Sequence, residues 1–209
     1  MAHFLHKPAP GVTVVRNDLS NHHASPPPIA TETRGLRSAQ KLTLLERPAS
    51  PPSHLPAKLP GIPRFLPATR PEQREFYAAM VVELKAKYKI AIRKWRTHIS
   101  GVAYEVKYRD GHIKRLIAAP RPRSPVSAAI FLHEVGHHAI GFKRYQPRCL
   151  EEYYVWQWAF REMTARSIPI DARVMRHYKR SLFHYVRLAK RLGIKDLPHE
   201  LHAFHHWPG

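Results

Sequence analysis

The chain has 209 residues, enough for one ordinary domain with an appendage and too few for two unless both are small. Its 35 Lys and Arg against 15 Asp and Glu give a formal charge of +20, which attracts polyanions by counterion release but names no activity by itself. A single cysteine, Cys149, excludes an intrachain disulfide and a cysteine-built zinc site, and suggests a reducing, cytoplasmic compartment with the thiol used for packing.

Residues 1–70 hold twelve of the 20 prolines, with Pro26-Pro27-Pro28 and Pro51-Pro52 among them, and few aromatics. Such a stretch buries too little apolar surface to offset the entropy of ordering it. A disordered, basic, Pro-rich tail is therefore expected there, with residues 71–209 forming the folded domain. The start shows no signal-peptide core, since Lys7, Pro8, Pro10 and Gly11 interrupt it, and no apolar stretch approaches the roughly 18 residues of a membrane helix. No membrane association is expected.

Pro71, Glu72 and Glu75 open a helix that should run to about residue 89 and cover a core with Phe76, Met80, Leu84 and Tyr88. The alternation of Val102, Tyr104, Val106 and Tyr108, then the turn residues Arg109-Asp110-Gly111-His112, predict a hairpin whose second strand spans Ile113 to about Ala118. Pro120, Pro122 and Pro125 end it. Ser124-Pro125 begins a helix that stops at Gly141, a second runs from about Leu150 to Arg166, and a third from Asp171 to Gly193. The expected class is α+β: an N-terminal helix, a small antiparallel sheet and three further helices.

The first of those three helices contains His133-Glu134-Val135-Gly136-His137. Residues four apart share a helix face, so both imidazoles can turn to one ion, while Glu134 is displaced toward a water on that ion and is placed to act as general base. Composition alone yields such a match about 0.06 times in a chain with 16 histidines, so the flanks must support it. Ile130, Phe131 and Leu132 make the N-terminal half a core segment, and Gly136 permits close packing beside the metal.

A catalytic zinc site keeps three protein ligands and one water. Ile140 and Lys143 exclude the pattern with glycine and a third histidine at those positions, and no histidine lies between His138 and His177. The next helix begins with Glu151 and Glu152. Steps of three and four from Glu152 reach Val155, Trp156, Ala159 and Met163, an inward stripe, whereas Glu151 leads on to Glu162. Glu152 is the first choice as third ligand; Glu151 is the second, with an alternative role in holding a histidine. His177, Tyr178, His184 and Tyr185 are candidate oxyanion donors among which the sequence does not choose, and His199, His202, His205 and His206 read as a solvated tail.

Leu132-His133-Glu134-Val135-Gly136-His137-His138, followed by Glu152-Tyr153-Tyr154-Val155-Trp156-Gln157-Trp158-Ala159, resembles the ImmA/IrrE-type zinc metallopeptidases of bacteria and their phages. The second segment is similar to that family's Glu-x-x-Ala-x-x-aromatic-Ala helix, with Val155 in place of the usual alanine, and the resemblance covers about residues 71–166. It implies a zincin-like domain of the gluzincin type, with His133, His137 and Glu152 as zinc ligands and Glu134 as base. Members characterised as regulators cleave a transcriptional repressor, so a regulatory protein is one expected substrate.

The function expected is therefore that of a Zn2+-dependent metalloendopeptidase acting on a protein or peptide, with the strand from Ile113 to Ala118 offering its edge to an extended substrate. The alternative is a basic nucleic-acid-binding protein in which the two histidines hold a structural zinc. Weak association of the basic surface with nucleic acid is compatible with either.

Overall fold

The computed structural model describes residues 69–206, together with the backbone of 13–18. All of these belong to one compact unit. Its elements in chain order are β1 (Thr13–Asp18), α1 (Arg70–Tyr88), β2 (Ile90–Arg96), β3 (Val102–Lys107), β4 (Ile113–Pro120), α2 (Pro125–Ile140), α3 (Arg148–Ala165), α4 (Ala172–Arg191) and a closing 3-10 helix, His199–Phe204. The α+β class is as expected, and the expected helices agree with α1 to α4 to within a few residues at each end.

Local chemistry explains where the helices begin. Thr69 caps α1 in a reciprocal capping box with Glu72, and Lys89 ends it in the left-handed region at φ 53°. Ser124 caps α2 through Ser127, with Pro125 in the first turn, and Asp171 caps α4 by accepting from Val174 N.

The sheet differs from expectation in three respects. Its order is β1-β3-β4-β2, and β2 runs parallel to β4, so it is mixed rather than antiparallel. The sequence reading missed β2 because Arg93, Lys94 and Arg96 blur its alternation, and a bulge between Ile92 and Lys94 shifts its register. Thr13–Asp18 lies inside the stretch expected to be a disordered tail, yet pairs antiparallel with β3 from Thr13↔Lys107 to Asp18↔Val102. A six-residue strand has no stability of its own, and only the free edge of β3 selects it. The rest of the expected tail lies outside the described residues. Finally, β4 is flanked by both β3 and β2, so it has no free edge for a substrate.

The core lies between sheet and helices. In α2 every residue from Ala128 to His138 is buried, as in a helix surrounded by other elements. One side packs on β4 and β3, the other on α3, and α4 backs α3. At Gly136 an added Cβ would come within 3.0 Å of both Val155 Cγ1 and Trp158 Cε3, so a glycine sets the close approach of α2 and α3. The stripe read from Glu152 is observed: Glu152, Val155, Trp156, Ala159 and Met163 are all buried. Arg166 bridges the far end of α3 to α1 through Glu162 and, at 2.9 Å, Glu83.

Candidate metal centre

Two helices build the site. Helix α2 supplies His133 and His137 one turn apart, with ring centroids 4.9 Å apart, and the N-terminal part of α3 supplies Glu152. One ligand atom from each of His133, His137 and Glu152 falls within 4.8 Å of the others, and all three residues are buried. Glu152 Oε2 is 3.2 Å from His133 Nε2 and 3.7 Å from His137 Nε2. Among the described residues no other group of three such side chains converges in this way.

The polar atoms fit a metal ion. Both His133 ring nitrogens and Glu152 Oε2 are buried without a hydrogen-bond partner among the described residues, and the 3.2 Å approach lacks hydrogen-bond geometry. Leaving such groups buried and unsatisfied costs roughly 1–3 kcal/mol each, a cost that coordination removes. Burial holds His137 down to about 3, even though Glu152 draws it upward, so its imidazole is neutral and keeps a lone pair for a ligand bond. Burial also opposes the Glu152 charge, but His137, His133 and Arg148 outweigh it and hold that carboxyl at about 2. Arg148 supplies the permanent charge, with Nη2 3.4 Å from Glu152 Oε1.

The choice between the two glutamates follows from this geometry. Glu152 enters the group, while Glu151 Oε1 lies 3.9 Å from Nδ1 of His137, on the other nitrogen of that ring. Glu151 is thus placed to orient His137 rather than to join the group. The ring of Trp156 lies 4.5 Å from that of His133, Phe142 stacks on His137, and His138 Nε2 is 3.2 Å from the Leu116 carbonyl, tying α2 to β4.

Glu134 is fully buried on the same helical turn. The residue before β3, Gly101, lies against it: an added Cβ would come within 2.6 Å of Glu134 Cδ. Of the four donors left open on α4, Tyr185 is tied to the group through Arg148. Its hydroxyl is 3.4 Å from Arg148 Nη2, and burial, followed by the charges of Glu152 and Glu134, pushes the phenol well above its ordinary value. His177 packs on the edge of Trp156, Tyr178 bonds Gln157, and His184 packs on Tyr185.

Gly101 and Arg148 were not found by sequence reasoning. Arg148 carried a usable signal, because it stands four residues before Glu152 on one helix face. Gly101 carried none, since its neighbour is 33 positions away. The rings of His199, His202, His205 and His206 lie 6.0–6.4 Å apart in succession and do not converge. Cys149 is buried, and burial pushes its thiol up, as suits a packing role. No described helix is long and apolar enough to cross a membrane. Comparisons with protein-family models, with curated proteins and with solved structures find no match to this chain.

Proposed function

We propose that the protein is a zinc-dependent metalloendopeptidase of the reducing cytoplasm, with His133, His137 and Glu152 holding the metal and Glu134 acting as general base. The observation that carries this reading is the pairing of a buried three-ligand group with a second buried carboxylate, Glu134, on the same helical turn. Two imidazoles and one carboxylate suit zinc, and three protein ligands leave the fourth position to water, as hydrolysis requires. A structural zinc would close that position with a fourth side chain, and none converges among the described residues. The order of motif helix and Glu152 helix also supports the resemblance to ImmA/IrrE-type metallopeptidases.

When bound, zinc lowers the pKa of its water to about 7 and polarises the substrate carbonyl. Beside a metal held by His133, His137 and Glu152, Glu134 would accept a proton from the attacking water and hand it to the leaving amine. The Tyr185 phenol, kept protonated by its surroundings, is a donor available for charge that develops on the carbonyl oxygen, and Arg148 adds to the effect of His137 and His133 in favouring ionised Glu152.

The sheet indicates how a peptide would approach. Of the strands near Glu134, β3 has its outer edge covered by β1, whose last residue, Asp18, faces Val102 next to Gly101. A substrate extending β3 past Glu134 must take the place of β1. The decisive test uses Glu134→Gln. It should bind zinc as tightly as the parent protein and lose cleavage of an unfolded protein substrate. Unchanged proteolysis in that variant, or a parent protein that binds no zinc, rejects the proposal.

A further inference from the structure

A second concave site lies outside the metal centre. The start of α1, the end of β2 and the β4–α2 connection enclose a groove of about 880 Å³. Arg70, Arg74, Arg121 and Arg123 line it, together with Tyr77 and Trp95, and no acidic residue does. Its volume is in the upper part of the range for ligand sites, about 300–1,000 Å³. Four like charges gathered around one groove repel each other, so the arrangement favours an anionic occupant.

Tyr77 gives independent evidence of a ligand. The residue lines the groove, is 1% exposed, and has a buried hydroxyl without a hydrogen-bond partner among the described residues. Burial pushes that phenol up to about 12, so it stays protonated and can donate. Buried hydroxyls normally find partners, and this one belongs to a residue lining a groove that the arginines make attractive to oxygen anions.

We infer that this groove binds the phosphodiester backbone of a single-stranded nucleic acid, with Arg70, Arg74, Arg121 and Arg123 engaging phosphates and Tyr77 donating to a phosphate oxygen. All four cations are arginines, whose planar forks match phosphate oxygens two at a time. Arg121 already lies over the Trp95 ring at 5.2 Å, which presents a flat cationic face of the kind on which a base stacks. A flexible strand follows a concave groove more readily than a rigid duplex, and the +20 charge of the chain strengthens the attraction from a distance. The inference does not depend on the metal reading.

The test is a fluorescence-anisotropy titration of the full chain with a labelled twelve-nucleotide single strand, repeated over a range of salt. Arg74→Gln/Arg121→Gln should weaken binding at least tenfold and make the salt slope shallower by about 1.4, at about 0.7 for each phosphate no longer neutralised. Tyr77→Phe, which changes no charge, should weaken binding several-fold with an unaltered melting temperature. Arg187→Gln/Arg191→Gln on α4, outside the groove, should bind like the parent protein. Quenching of tryptophan emission by the strand should disappear in Trp95→Phe.

Equal losses in the groove and α4 pairs would mean diffuse attraction to a basic surface and would overturn the inference. Tyr77→Phe binding like the parent protein would also overturn it. Polyglutamate competing as well as the oligonucleotide would show an acidic-peptide site instead, and a nucleoside triphosphate binding where the strand does not would show a small-molecule site; either result overturns the assignment to nucleic acid.

Discussion

Gly101→Ala is a small change with a large expected effect. The new methyl would lie 2.5 Å from Glu134 Cγ and 2.6 Å from Cδ, about 1 Å closer than ordinary van der Waals contact. Neither side can yield freely, because Gly101 is buried ahead of β3 and Glu134 is fully buried within α2. Overpacking of this size costs about 1–3 kcal/mol, equivalent to a melting point lower by roughly 2–12 °C for a domain of this length. If Glu134 is the base, moving its carboxylate by about 1 Å costs on the order of a hundredfold in cleavage rate. Thermal denaturation of Gly101→Ala, Glu134→Ala and the double variant separates the direct clash from general loop damage. In the Glu134→Ala background the glycine substitution should cost little, because the colliding atoms are gone. An equal cost in both backgrounds, or a Gly101→Ala protein as stable as the parent, would refute the reasoning.

Three other outcomes follow from the same geometry. Glu152→Gln should abolish high-affinity zinc binding measured by calorimetry, whereas Glu151→Gln, acting through His137 Nδ1, should weaken it by about 10–100-fold. Val14→Pro/Val15→Pro should speed cleavage of an extended peptide, because one of two adjacent amides in an antiparallel strand must face β3; an unchanged rate would mean that β1 does not compete with substrate. Burial holds His138 down to about 4 in the folded chain, while the unfolded chain takes up that proton near 6.5. The metal-free protein should therefore lose stability as pH falls from 6.5 to 4, by up to about 3 kcal/mol from this residue, and His138→Gln should flatten that limb in urea titrations across pH.

The parts of the site legible in the sequence are those that helical periodicity relates. His133 and His137 share a face because they are four apart, and Glu152 turns inward because Val155, Trp156, Ala159 and Met163 continue its stripe. Ser124 and Asp171 marked the starts of α2 and α4 for the same reason, since a cap acts over three residues. That locality let the choice of Glu152 over Glu151 be argued from helix phase before the fold brought α3 against α2.

What the tertiary structure decided involves partners distant in the chain. Gly101 acquires its meaning only where the start of β3 meets Glu134, and β1 becomes a strand only beside β3, some 90 residues later. The groove joins arginines from α1 to others some fifty residues further on, and no periodic pattern encodes that meeting. Local order follows from short-range sterics and hydrogen bonds that any window of sequence contains; these pairings follow from global packing, which a window does not contain.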